Sequence, residues 1–118
     1  MKREGYPSSV RLRRRPEYRR VLDGGRRVLS RSLIVYVAPR PEPADGPRLG
    51  VMASRKVGNA IVRNRAKRVF REAFRRLRAR VTRPVDLVLI ATRRTVGVST
   101  DDVALQLQAV LREHGLFE

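Results

Sequence analysis

The sequence predicts a two-layer α/β (α+β) sandwich, a small sheet packed by helices in the order helix, strand, strand, helix, strand, helix. Residues 33–38 (LIVYVA) are β-branched and aromatic, and they alternate between two faces as a strand does. Residues 59–80 repeat their apolar side chains at helical spacing. Residues 85–92 are apolar on both faces, the pattern of a central strand. At 118 residues, 42% of them apolar, the chain has the length of one domain and enough apolar matter for a single core.

In chain order, residues 1–15 are basic and aperiodic and read as a flexible arm. Pro16 suits the first turn of a helix over 16–23, stopped by Gly24 and Gly25. Tyr18 and Leu22 lie four residues apart on one face of it, with Val21 alongside. In the first strand Leu33, Val35 and Val37 share one face and Ile34, Tyr36 and Ala38 the other. A proline-rich loop over 39–47 is expected to close a hairpin, with a second strand over 48–54 returning along the first. Asn59 is the expected N-cap of the long helix. Val62, Ala66, Val69, Phe70, Ala73, Phe74 and Leu77 gather on one side of that helix, and Phe70 and Phe74 are core residues. Asn64, Lys67, Arg68, Arg71, Arg75 and Arg78 gather opposite, with Arg63 and Arg65 on the flanks. Run to Arg80, it would be about 33 Å long. Ser99, Thr100, Asp101 and Asp102 start a last helix that buries Val103, Leu107, Val110 and Leu111 and ends at Gly115.

Charge is the compositional outlier. Net charge is +17 with a pI near 11.8, and residues 63–80 hold nine basic residues against one acid, Glu72. Self-repulsion at that density is relieved when phosphates neutralise it. Membrane surfaces are the rival polyanion, but they call for bulky apolar anchors or a lipidation site, which are missing. Of the basic residues, 25 are arginine and three are lysine. Guanidinium groups suit phosphate recognition, while a GC-rich coding sequence would produce the same bias. The absence of cysteine excludes disulfides and thiolate metal sites. No secretion signal is read over residues 1–10, and no apolar run is long enough to span a bilayer, so a soluble cytoplasmic protein is expected.

Catalytic groups are hard to find. Metal-free RNA cleavage commonly needs two positioned acid–base groups, and the one histidine is His114. The eleven acids are scattered, and Asp101-Asp102 is better explained by helix capping. Nothing matches a nucleophilic triad, a phosphate loop or a zinc site, so no catalytic and no metal-holding residue is expected. Binding signals are stronger. Repulsion among Arg68, Arg71 and Arg75 looks uncompensated, as on a phosphate-binding face. Gly58 and Asn59 open a helix whose N-terminus could hold a phosphate or could simply be a turn. Tyr18 and Tyr36 form either a stacking platform for single-stranded nucleic acid or the edge of the core.

Residues 54–75, SRKVGNAIVRNRAKRVFREAFR, closely resemble the signature of the protein subunit of bacterial ribonuclease P. That signature has a serine, two basic residues, Val/Ile-Gly-Asn-Ala, two apolar residues, Arg-Asn-Arg, then Lys-Arg and a later Arg, and each position is filled. The likeness extends to Arg48-Leu49-Gly50, to the Tyr-x-x-Val-x-x-x-Gly pattern over 18–25 and to residues 86–91, covering roughly residues 11–114.

The resemblance implies a single RNA-binding domain that serves a catalytic RNA, in an endoribonuclease that removes 5′ leaders from precursor tRNA. It implies Mg2+ held mainly by the RNA subunit and substrate, no obligate protein partner, and a sheet with a left-handed βαβ crossover. The RNA-subunit contacts it implies fall on Arg63, Asn64 and Arg65, with Lys67, Arg68 and Arg71 beside them and Arg55, Lys56 and Asn59 at the helix entrance. The leader-binding positions fall on Tyr18, Leu22 and Tyr36. Leu22 departs from the pattern, since relatives often carry phenylalanine there, and one stacking surface is lost. The rival expectation is a structural RNA-binding protein of ribosomal type with no part in catalysis.

Overall fold

The computed structural model describes residues 10–41 and 45–118. Helix α1 (Arg15–Gly24) is followed by strands β1 (Arg26–Leu29), β2 (Leu33–Pro39) and β3 (Arg48–Met52). Helix α2 (Ala60–Leu77) continues into a 3-10 turn, Arg78–Arg80. Strand β4 (Val85–Ala91), a 3-10 turn at Arg93–Thr95 and helix α3 (Thr100–Glu113) complete the chain.

The sheet order is β1-β2-β4-β3. β4 is central, as its apolar faces require, antiparallel to β2 and parallel to β3. The expected hairpin is therefore corrected: β2 and β3 do not pair with each other, because β4 lies between them. Helix α2 connects the parallel neighbours β3 and β4 as a βαβ crossover. β1, which the sequence reading missed, adds an antiparallel edge with Arg27 opposite Tyr36 and Leu29 opposite Ile34.

The alternation of β2 sorts the core as expected. Leu33 and Val35 are buried with Leu49, Val51, Leu87 and Leu89 against Phe70, Phe74, Leu107 and Leu111 of α2 and α3. On the opposite face Ala38 and Val88 are buried with Val21 of α1 and Leu12, with Tyr18, Leu22, Tyr36, Met52 and Ile90 packed around them. Both faces are thus covered in part, α2 and α3 on one and α1 on the other.

The end of the expected basic arm belongs to the fold; its first nine residues lie outside the described ones. Val10 and Leu12 are buried, Arg11 bridges Leu49, and the Leu12 amide donates to the Leu49 carbonyl at 2.9 Å. Leucine and valine spaced two apart among arginines escaped notice because their partners are distant in sequence. Asn59 caps α2 as expected, its Oδ1 accepting from the Val62 amide at 3.0 Å, and Ser99 does the same for α3 from the Asp102 amide at 3.1 Å. Gly58 has φ +155°, and a Cβ there would lie 2.9 Å from Val62 Cγ1, so only glycine admits the chain to this helix.

Candidate nucleic-acid interface

Helix α2 puts Ala66, Val69, Phe70, Ala73, Phe74 and Leu77 into the core. That leaves Asn64, Arg65 and Arg68 exposed on its outer side, with Lys67 and Arg71 half-buried. Arg55 and Lys56 are exposed on the turn that precedes it. Asn59 is occupied by capping, and Arg63 is half-buried, its Nη1 donating to the Gly58 carbonyl at 3.4 Å. Both therefore also shape the helix entrance.

The charges on α2 are not uniform along its length, which corrects the expectation of uncompensated repulsion. Arg75 is paired with Glu72 by two hydrogen bonds, at 2.6 and 3.1 Å, and Arg76 reaches Asp101 of α3 at 2.6 Å. Arg65, Lys67 and Arg68 form no ion pair among the described residues. Acids neutralise the C-terminal end of the helix, and the basic potential is concentrated toward its N-terminal half.

The second surface lies on the opposite sheet face. Tyr18 lies against β3, where a Cβ on Gly50 would come 2.7 Å from Tyr18 Cε2. Its hydroxyl oxygen accepts from the Val51 amide at 3.2 Å. Tyr18 and Leu22 line a cleft with Arg15, Arg19 and Met52, of about 520 Å³. Tyr36 is packed around the same small cluster from β2. Arg15 and Arg19 were missed by sequence reasoning, although Arg15, Tyr18, Arg19 and Leu22 follow the i, i+3, i+4, i+7 spacing of one helical face.

These two surfaces meet. A hollow of about 270 Å³ is lined by Tyr18 and Val51 together with Arg11, Arg13 and Arg71. Arg71, which the sequence grouped with the helix contacts, thus shares a concavity with Tyr18 of the cleft.

A polar clamp fixes α1 over the sheet. The Asp86 carboxylate is fully buried and accepts from Arg48 Nε and Nη2, each at 2.8 Å, and from Arg20 of α1. Arg48 also reaches Glu17 at 3.3 Å. The Asp86 carboxylate and backing from Glu17 raise the Arg48 pKa against the opposing effect of burial. Glu17 Oε1 accepts from the Arg14 and Arg13 amides at 3.0 and 2.8 Å. Those amides, the first above all, and the Arg48 charge hold its carboxyl below the ordinary glutamate value, with burial opposing.

Other titratable groups take structural roles. Asp101 and Asp102 sit in the first turn of α3 and pair with Arg76 and Arg31. His114 Nδ1 lies 2.9 Å from the Val110 carbonyl at the end of that helix. Among the described residues, no three His, Asp or Glu side chains come together as metal ligands would, and no helix is long and apolar enough to cross a membrane.

The family model described as Ribonuclease P matches residues 6–115. The chain belongs to the ribonuclease P protein family. Among the relatives of this family member, the ribonuclease P protein component of Desulfovibrio desulfuricans is 38% identical over 95% of this chain and 88% of its own length. That of Syntrophus aciditrophicus is 34% identical over 94% and 92%. The solved RNase P protein of Staphylococcus aureus superposes with a TM-score of 0.78 at 29% identity, covering 92% of this chain and 97% of that one. The Thermotoga maritima protein gives 0.74 at 29% identity over 87% and 96%. The mixed fold of a four-stranded open sheet and three helices is thus that of ribonuclease P proteins.

Proposed function

We propose that this chain is the protein component of ribonuclease P, acting with a catalytic RNA to remove the 5′ leader of precursor tRNA. The observation that carries the reading is the meeting of an unbalanced basic helix and an aromatic cleft at the hollow shared by Arg71 and Tyr18. One RNA chain can be held by phosphates along α2 while a single strand lies in the cleft. Arg65, Lys67 and Arg68 neutralise phosphates of the RNA subunit, and Arg55 and Lys56 extend that contact before the helix. Arg63, Asn64, Asn59 and Arg71 complete it. Tyr18, Leu22 and Tyr36 offer apolar surface to leader bases, with Arg15 and Arg19 placed for the leader phosphates.

Among the described residues, no three acidic or histidine side chains gather as a resident magnesium site would need. Glu17, Glu72, Asp86, Asp101 and Asp102 are all engaged by guanidinium groups. In this reading the ion belongs to the RNA and its substrate, and the protein contributes by lowering phosphate repulsion around it.

Reconstitution with the cognate RNA subunit and a precursor tRNA at low magnesium tests the reading. The protein should stimulate 5′ cleavage and should cleave nothing without the RNA. Absence of stimulation would refute it, and cleavage by the protein alone would relocate the chemistry to its own side chains.

A further inference from the structure

Two of the few exposed large hydrophobic residues, Ile61 (79% exposed) and Val96 (50%), come from distant parts of the chain yet face the same slot. Ile61 is in the first turn of α2, and Val96 follows the 3-10 turn after β4. Val62, Ala66 and Val69 form an apolar floor, Arg65 lines the rim, and the volume is about 320 Å³. The far wall is held by hydrogen bonds. Thr95 Oγ1 accepts from the Thr92 amide at 2.9 Å, and the Val98 amide donates to the Thr95 carbonyl at 3.1 Å. Arg93 ties that wall to the entrance of α2, donating to the Lys56 carbonyl at 3.4 Å.

An apolar slot beside the basic N-terminal half of α2 is not explained by phosphate binding, which needs no hydrophobic surface. We infer that it receives an unstacked nucleobase of the RNA subunit, held edge-on between Ile61 and Val96 while Arg65 binds the adjoining phosphate. The inference rests on the reading above. Its grounds are charge complementarity between RNA and the rim, and a volume at the small end of ligand pockets, suited to one planar ring rather than a protein element. Phosphate contacts alone hold RNA without regard to sequence, and a base slot adds register.

The two kinds of contact separate by salt. Replacing Ile61 with alanine (I61A) should lower affinity for the RNA subunit about five-fold or more through lost apolar contact and leave the dependence of log affinity on log salt unchanged. V96A should act alike. R65A should reduce that slope by about 0.7–0.9. Chemical probing of the wild-type complex should show one protected base that regains reactivity with I61A. Because Ile61 is exposed, its truncation leaves the core intact, and circular dichroism of the variant checks this. Wild-type binding with no loss in I61A, or a loss accompanied by a changed slope, would overturn the slot alone. Failure of the wild-type protein to bind the RNA would overturn both it and the proposed function.

Discussion

At the scale of single residues, Tyr18 and Tyr36 differ more than their shared chemistry suggests. Tyr18 is committed to the fold: it lies on Gly50, and its hydroxyl satisfies the Val51 amide at the open side of β3. Tyr36 is half-buried at the side of the same cluster, next to Arg27 across the β1–β2 ladder. It is the better test of base stacking. Tyr36→Ala should weaken binding of precursor tRNA to the holoenzyme by about 1–3 kcal/mol and affect mature tRNA little, as measured by equilibrium binding of both. Equal losses would make Tyr36 a structural residue. The identity of these two residues as a pair was legible in sequence, because alternation and i, i+4 spacing place each on a face. Their different duties were not, since the Gly50 contact joins residues with no local relation.

At the scale of elements, α1 owes its position to contacts at its N-terminus and along its body. Its N-terminus is closed by Glu17 on the Arg13 and Arg14 amides, and its body is tied by Arg20 to Asp86. The Glu17 carboxyl is held below its ordinary value near 4.5, so its stabilising effect is full above that value and fades as pH falls through the lower, folded-state value. Glu17→Gln should therefore be less stable than wild type at neutral pH, and the gap should close in acid, as read by urea unfolding across pH. A gap independent of pH would assign the effect to packing. The helices were legible because their caps and stripes are local: Asn59, Ser99 and the Phe70/Phe74 face were read correctly. Strand pairing was not. Arg26–Leu29 carries two arginines and is only four residues long, too short for alternation to register. The loop after β2 resembles a hairpin connection, and nothing near it reveals that β4 will occupy the place between β2 and β3.

For the whole molecule, Asp86 is the point where α1, β3 and β4 are joined. It lies among a large excess of positive charge, and its two arginine partners are Arg20, partly exposed, and Arg48, mostly buried. Removing the carboxylate would leave the Arg48 guanidinium buried with only Glu17 in reach. Asp86→Ala should cost about 3–5 kcal/mol of stability, measured by urea unfolding. It should also weaken leader binding more than binding of the RNA subunit, because α1 forms the cleft wall and α2 does not depend on the clamp. A loss confined to the α2 contacts would contradict this arrangement.

The central position of β4 also has a consequence for the order of folding. β2 can pair with β1 as soon as both are made, but it has no ladder with β3, and β3 waits for a strand that follows the whole of α2. Loop closure over that distance is slow compared with forming a hairpin. When β4 arrives it closes the sheet and brings Asp86 to Arg48 and Arg20 in the same step. The arginine-bearing helix is thus the last long segment made before the sheet can close. A nascent chain stopped short of residue 85 holds neither a complete cleft nor a docked α2, and the two RNA-facing surfaces mature together or not at all.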